Sequence, residues 1–403
     1  MSRKLALGAS RASNGAFTFA ARTAMSTTQR TFSSTAQRNR EMIYFSKASS
    51  EELDNILSEI RHQIILPAFL PQDQRKKIYS KKYEKQLQAD PITIEIDGEV
   101  FKFRHQSPFS SVPNTKKALY RAIELFSTPE DFSNLRPLIE GLAIADRTFN
   151  VNSQTKLTRL IGDKGRIYDI IELARSVKRT SFKLDMSEKV TEILYHVQMR
   201  AVRSGWDLEE TRKALRWTEI VVALLEEKDH QPANGLVPRD TLPLARDPMV
   251  LLSPLHLAAV LVQKQGTEAE PAVVDKVIQY ATKIVLLWDE GKTLRQTQPE
   301  SLFQPDEPLA YIAVDNKFVK LGASWLYGLN AALEVLQNQG PQHAELAAKL
   351  KTRRDSLEEE LRLARENAKG GVGEAVWQVV FGGMGPVGDV DQEIRDSIDR
   401  KTG

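Results

Sequence analysis

"TFNVNSQTKLTRLI" (148–161) and "SFKLDMSEKVTEIL" (181–194) lie over each other with an offset of 33 residues. Phe149 then meets Phe182, Val151 meets Leu184, Asn152 meets Asp185, Lys156 meets Lys189, Leu157 meets Val190 and Thr158 meets Thr191, with Leu160-Ile161 over Ile193-Leu194. A second amphipathic segment follows each copy, "GRIYDIIELARSV" after the first and "DLEETRKALRWTEIVVALLEE" after the second. Self-similarity at this period, with two helices per unit, indicates stacked helical hairpins, since one hairpin cannot bury its apolar face alone. "TKKALYRAIELF" and "EDFSNLRPLIEGLAIAD" supply a preceding pair, and about three units are the minimum for a stable stack. The expected fold class is all-α, a helical-hairpin solenoid with one small N-terminal β-hairpin.

That β element is "ITIEIDGEVFKFRH", which alternates apolar and polar residues on both sides of Asp97-Gly98, the dipeptide a tight type I′ turn prefers. Upstream, "SSEELDNILSEIRHQIILPA" opens with a polar cap and acids, then spaces Leu53, Ile56, Leu57, Ile60 and Ile64 as an amphipathic helix does. Between them "QRKKIYSKKYEKQ" (74–86) reads as a basic helix with Tyr79 and Tyr83 one turn apart on one face. Downstream, "DHQPANGLVPRDTLPLARDP" (229–248) is rich in Pro and Asp and marks a linker or long loop. Further helical segments follow, and eight glycines between 370 and 403 predict a loosely ordered tail. The expected organisation is a leader (1–32), a basic arm with helices and the hairpin (33–112), helical repeats (113–228), a linker (229–252), a C-terminal helical domain (253–368) and a Gly-rich tail (369–403).

The chain contains no cysteine, which excludes disulfides, Cys-ligated zinc, iron–sulfur clusters and thiol catalysis. "GKT" (291–293) lacks the glycine that a phosphate loop needs five positions earlier, and a helix precedes it where one should follow. "GGVGEAVW" and "FGGMGPVG" follow no predicted strand and read as loops. None of the six histidines falls in a metal-ligand spacing; His196 and His256 lie in apolar helical segments and read as hydrogen-bonded core residues. No GxSxG elbow occurs. The sequence therefore predicts no enzyme, no catalytic residue, no metal, no cofactor and no small-molecule substrate. No apolar run approaches the roughly 20 residues that span a bilayer.

The first 40 residues contain seven Lys or Arg, twelve Ser or Thr, and no Asp or Glu. Basic, hydroxylated and acid-free composition is that of a mitochondrial transit peptide. Arg30-Thr31-Phe32-Ser33 looks like a matrix-processing site, with cleavage expected between Phe32 and Ser33. Removing residues 1–32 takes away five basic residues and moves the net charge from +3 to −2, so the apparent basicity belongs to the leader. The localisation expected is the mitochondrial matrix.

Within a slightly acidic mature chain, positive charge concentrates at Arg75, Lys76, Lys77, Lys81, Lys82 and Lys85, with Lys102, Arg104 and His105 on the hairpin and Lys116 and Lys117 shortly after. With Tyr79 and Tyr83 these are the candidate RNA-binding residues, since each Lys or Arg at a phosphate displaces condensed counterions. A solvated helix face is the bland alternative.

"KLTRLI" followed by "GDKGRIYDIIELARSVKRTSFKLD", and "KVTEIL" leading to "RSGWDLEETRKALRW", resemble degenerate pentatricopeptide (tetratricopeptide-like) repeats over about residues 114–228. Taken with the leader, arm and hairpin, the whole chain is similar to fungal pentatricopeptide-like proteins of the mitochondrial ribosome's small subunit. Sequence-reading members of the repeat family place a small polar residue near the fifth position of each first helix, whereas Arg159 and Glu192 stand there in this chain. Long charged side chains argue against a base-by-base code. The resemblance implies a structural ribosomal component whose partners are the small-subunit rRNA and neighbouring small-subunit proteins, with the concave face of the repeats packing on them. Two alternatives stay open: a free mitochondrial translational activator or RNA-processing factor, and a helical adaptor that binds only proteins.

Overall fold

Ser50 accepts a hydrogen bond from the amide of Leu53 and starts α1 (Glu51–Ile60), whose first turn carries Glu51, Glu52 and Asp54 where the helix dipole favours acids. The computed structural model to which this helix belongs describes residues 42–96, 98–107, 111–232 and 241–382. The leader with Phe32 and Ser33, Asp97 of the hairpin dipeptide and the chain beyond 382 lie outside the described residues. The described residues from Met42 onward form one compact unit.

The first helix does not run on to Ala68 as a regular α-helix. It widens to a π-turn at Arg61–Ile65 and tightens to a 3₁₀ turn at Leu66–Phe69. Pro67 has no N–H to give to the carbonyl four residues back, so the hydrogen-bond register must shift here. The extended segment before α1 is held at two points. Ser46 and Asn134 exchange hydrogen bonds (2.7 and 3.0 Å), and buried Asp131 accepts the amide and hydroxyl of Ser49 (2.8 and 2.7 Å) as well as the amides of Ser127 and Thr128. Asp131 belongs to α5 (Pro129–Ser133), which Thr128 and Asp131 close with a capping box.

After α1 come α2 (Gln72–Ile78), a 3₁₀ turn at Lys81–Tyr83, α3 (Glu84–Ala89) and the antiparallel strands β1 (Ile92–Ile96) and β2 (Glu99–Phe103), with Ile92 opposite Phe103 and Ile94 opposite Phe101. Gly98 takes φ +83°, as a tight turn requires.

α4 (Thr115–Leu125) packs on α1 and on α7 (Val151–Asp163), whereas α6 (Leu135–Ile144) packs on the 61–65 turn and on the short α9 (Val177–Thr180). The pair that the sequence offers as a first hairpin is thus shared among other elements. The next two units are hairpins: α7 with α8 (Ile167–Arg175), and α10 (Ser187–Arg203) with α11 (Leu208–Glu226), with α7 against α10 and α8 against α11. One pair of equivalent positions behaves alike. Thr158 and Thr191 are both buried and both donate to the carbonyl four residues back, Gln154 and Ser187. The turns match as well: Gly165 and Gly205 take left-handed φ of +71° and +67°, and Arg166 and Trp206 each donate back to the carbonyl five residues earlier, closing the same Schellman-type end.

The C-terminal part contains α12 (Pro248–Gln265), α13 (Pro271–Leu287), α14 (Ala310–Ala313), α15 (Asp315–Asn338), α16 (Ala344–Asn367) and α17 (Val372–Phe381). α12 is apolar on every side and lies between α11, α13 and α15. α15 packs against α12, α16 and α17; a Cβ at Gly328 would strike the His256 backbone, so that glycine sets the closeness of the α12–α15 crossing. Within the expected Gly-rich tail, "GGVGEAVW" is not a loop but enters α17 at Val372, and Val376 and Val380 give that helix an apolar stripe that α15 buries. One apolar core runs from Met42 to Val380.

α10 is enclosed by this arrangement, with 14 of its 17 residues buried. Lys317 and Lys320 of α15 pair with Glu188 and Glu192 of α10 (2.7 and 2.9 Å), and Arg159 of α7 reaches the same two carboxylates (3.0 and 3.2 Å). Arg159 and Glu192, which stand where sequence-reading repeats carry a small polar residue, are therefore paired from within the chain, because Glu188 and Glu192 need cations once they leave water and α7 and α15 supply them.

Candidate nucleic-acid interface

The basic segment 74–86 is not one helix. α2 ends at Ile78, Ser80 is extended, and helical structure resumes at Lys81. Ile78 and Leu87 are both buried, and nine residues of continuous α-helix would place them on opposite faces, at about 100° per residue. Breaking the helix lets both enter the same core. The carbonyl of Ile78, released by the break, accepts the amide of Gln106 at 2.8 Å, which seats the end of β2 against the end of α2. Lys102 and Arg104, exposed on either side of buried Phe103, are thereby carried to this part of the arm.

The break also changes the roles of the two tyrosines. Tyr79 is half-buried against the core, and burial raises its hydroxyl pKa despite the opposing pull of Arg147 and Arg75. Tyr83 holds the ammonium groups of Lys77 and Lys82 at 5.9 and 5.6 Å from its ring, so residues from both sides of the break gather around it. The two rings therefore share no helical stripe: Tyr79 packs on the core and Tyr83 is flanked by two lysines.

Lys76, Lys77, Lys81, Lys82, Lys85, Lys102, Arg104, Lys116 and Lys117 are exposed and Arg75 is partly so; among the described residues none of the ten is in an ion pair. Elsewhere pairing is dense: Arg121, Arg159, Arg200, Arg212, Arg295 and Arg362 each meet two carboxylates or share one with a second cation. Arg75, Lys76 and Lys77 sit in the last turn of α2, where the helix dipole favours them. Lys116 and Lys117 sit in the first turn of α4, where it does not, and α4 has α1 and α7 as its neighbours, so these two stand apart from the arm.

Two residues that sequence spacing left out complete the geometry. Arg61 donates to the carbonyl of Ile43 (2.9 Å), pairs with Glu99 (3.8 Å) and lies over the rings of Tyr44 and Phe101, which ties the hairpin to the body. Arg147 is exposed beside Tyr79 and adds a cation to the arm from 70 residues away. A two-stranded hairpin is marginal by itself, so the Arg61 anchor, with buried Phe103 and the Gln106–Ile78 hydrogen bond, positions Lys102 and Arg104.

The remaining sequence candidates resolve as structure. His256 hydrogen-bonds Gln198 (2.7 Å), which donates to Ser253 (2.8 Å), and burial holds the His256 pKa down to about 3. His196 is equally buried, but its ring nitrogens make no hydrogen bond; its flat ring faces Gly162, where any Cβ would collide. Lys292 of "GKT" pairs with Asp289, and its carbonyl accepts the Trp288 indole N–H at 2.8 Å, making a turn. Among the described residues no three His, Asp or Glu stand close enough to hold a metal ion, and no helix is long and apolar enough to cross a membrane.

The family described as mitochondrial ribosomal protein mS27 matches residues 30–379. The chain belongs to this family. A relative within it, the small ribosomal subunit protein mS27 of Neurospora crassa, is 31% identical over 368 residues, covering 88% of this chain and 92% of that protein. The mS27 match takes in the arm, both hairpins and nearly all of α17 as one piece, in keeping with the single core that joins them.

Proposed function

We propose that this mS27-family chain uses its basic arm to hold ribosomal RNA phosphates while its helical body holds neighbouring proteins. The chain is a structural component of the mitochondrial small ribosomal subunit, located in the matrix. Its contribution to mitochondrial translation is assembly and shape, with no catalytic step of its own. The observation that carries the arm reading is the set of eight cations without an ion pair, Arg75, Lys76, Lys77, Lys81, Lys82, Lys85, Lys102 and Arg104, in a chain whose other cations are largely paired. Six to ten phosphate contacts make affinity fall by roughly 10³–10⁵ between about 50 and 200 mM salt, which suits a permanent clamp reinforced by protein contacts. Because Tyr79 and Tyr83 are engaged by the core and by lysines, the arm reads the RNA backbone and shape, not its bases. The leader supports the import route: the family match begins at residue 30, beside the Phe32–Ser33 bond at which cleavage is expected.

The test is incorporation. Mitochondria carrying Lys77→Glu, Lys81→Glu and Lys82→Glu together should show a lower ratio of this protein to other small-subunit proteins after high-salt gradient sedimentation. Unchanged occupancy would reduce the arm to a solvated surface.

A further inference from the structure

We infer that α4 and α7 carry a second phosphate-binding patch, built from Lys116, Lys117 and Lys156 around Tyr120, separate from the arm. The inference rests on the reading that this chain contacts RNA and adds a second point of attachment to it.

The geometry comes from two helices running side by side in the same direction. Tyr120 of α4 donates its hydroxyl to the carbonyl of Ser153 near the start of α7 (3.2 Å), while Lys164 at the far end of α7 donates to the carbonyls of Glu124 and Phe126 at the far end of α4 (3.0 and 2.9 Å). The N-terminal halves of both helices therefore lie at one end. Lys156 is exposed with its ammonium 4.5 Å from the centre of the Tyr120 ring, and Lys116 and Lys117 precede Tyr120 by four and three residues, on its side of α4.

Among the described residues no acid of α4 or α7 pairs with these lysines. The one acid of α4, Glu124, lies in its last turn and meets Arg121 (3.8 Å), which also takes Glu52 from α1 (2.7 Å). α7 has no acid before Asp163, its last residue. Among the described residues the three lysines make no ion pair, and two of them occupy the helix turn where positive charge is disfavoured. A charge arrangement that costs the fold stability while no acid compensates it fits an external polyanion. With the Lys156 ammonium over the Tyr120 ring and two exposed lysines beside it, what the patch offers is charge, and the ligand chemistry is phosphate of a nucleic-acid backbone.

The offset of 33 residues sharpens the point. Lys156 corresponds to Lys189, which is buried and bonded to Gln154 and Asp185 (2.6 and 3.0 Å). The same position is internal in the second hairpin and outward-facing in the first, so the patch belongs to the first hairpin alone.

The experiment uses the mature chain from Ser33 and a short A-form RNA hairpin, with affinity measured across a salt series and far-ultraviolet circular dichroism as a folding control. Lys116→Gln, Lys117→Gln and Lys156→Gln combined should make the slope of log affinity against log salt shallower by about 2 to 3, since each phosphate contact contributes roughly 0.7 to 0.9. The same measurement on Lys77→Gln, Lys81→Gln and Lys82→Gln separates the two readings. If the arm variant becomes shallower and the patch variant keeps the wild-type slope, the second patch is overturned and the arm stands. If only the patch variant changes, the arm reading falls and the patch stands. Loss in both supports two-point attachment, and a wild-type protein with no salt-sensitive binding removes both.

Discussion

Asp247, His196 and His256 are fully enclosed titratable groups whose shifts oppose one another. Burial holds both imidazoles down to about 3, while they titrate near 6.5 when unfolded. Between those values the unfolded chain binds more protons than the folded one, so stability is present above pH ~6.5 and is lost as the pH falls through that window. Asp247, which caps α12 and accepts the Gln298 amide, is pushed up by burial to about 6, so in its own window stability falls as the pH rises. From pH 7 to 5 each histidine removes about 2 kcal/mol and Asp247 returns about 1 kcal/mol, leaving a net loss of a few kcal/mol. Thermal melts should show this loss, and His256→Gln should make the pH dependence shallower by roughly one histidine's share. A melt insensitive to pH between 5 and 7 would contradict the burial of both rings. At this scale the sequence was readable: apolar neighbours marked both histidines as core residues, and only the missing hydrogen bonds of His196 needed the structure, because Gly162, which packs against its ring, belongs to a different helix.

Elements were legible where one periodicity governed them. The hairpin follows from alternation around Gly98, and α7, α8, α10 and α11 follow from apolar spacing and from glycines in the turns between them. The basic segment misled because charge density drew attention away from phase: Ile78 and Leu87 already stood on opposite faces of any continuous helix, so the break was encoded in the apolar residues. Arg61 was not readable, since its partners Ile43, Tyr44, Glu99 and Phe101 are scattered over some 60 residues. Its role can be measured. Arg61→Ala removes a hydrogen bond to a carbonyl and two ring contacts, together worth about 1 to 3 kcal/mol. Amides of β1 and β2 should then exchange with solvent at least tenfold faster, while those of α15 keep their protection. Equal acceleration in both would mean that Arg61 supports the whole fold and not the hairpin.

At the scale of the whole molecule, the repeat pattern suggests that residues up to 228 could stand alone, and the packing argues otherwise. α10 is covered on one side by α7 and α8 and on others by α12, α15 and α17, and α11 lies against α12. Taking away the C-terminal helices would uncover the side of buried α10 that α12, α15 and α17 cover, Tyr195 beneath Lys320 included, and would leave Glu188 and Glu192 with Arg159 alone in place of two lysines and an arginine. Exposing several large apolar side chains costs about 1.5 to 3 kcal/mol each, which matches or exceeds the whole stability of a domain of this size. The signal was present in "KVTEILYHVQMRAV", where Val190, Ile193, Leu194, Val197, Met199 and Val202 cover more of the circumference than one stripe, but nothing local says which element covers the extra face. A fragment of residues 42–228 should therefore keep helical far-ultraviolet circular dichroism yet lose near-ultraviolet signal and bind a hydrophobic dye, whereas residues 42–382 should melt in one sharp transition. A fragment that melts as cooperatively as the longer chain would show that the hairpins are an autonomous repeat domain, and that the α10–α15 ion pairs join two finished parts instead of completing one.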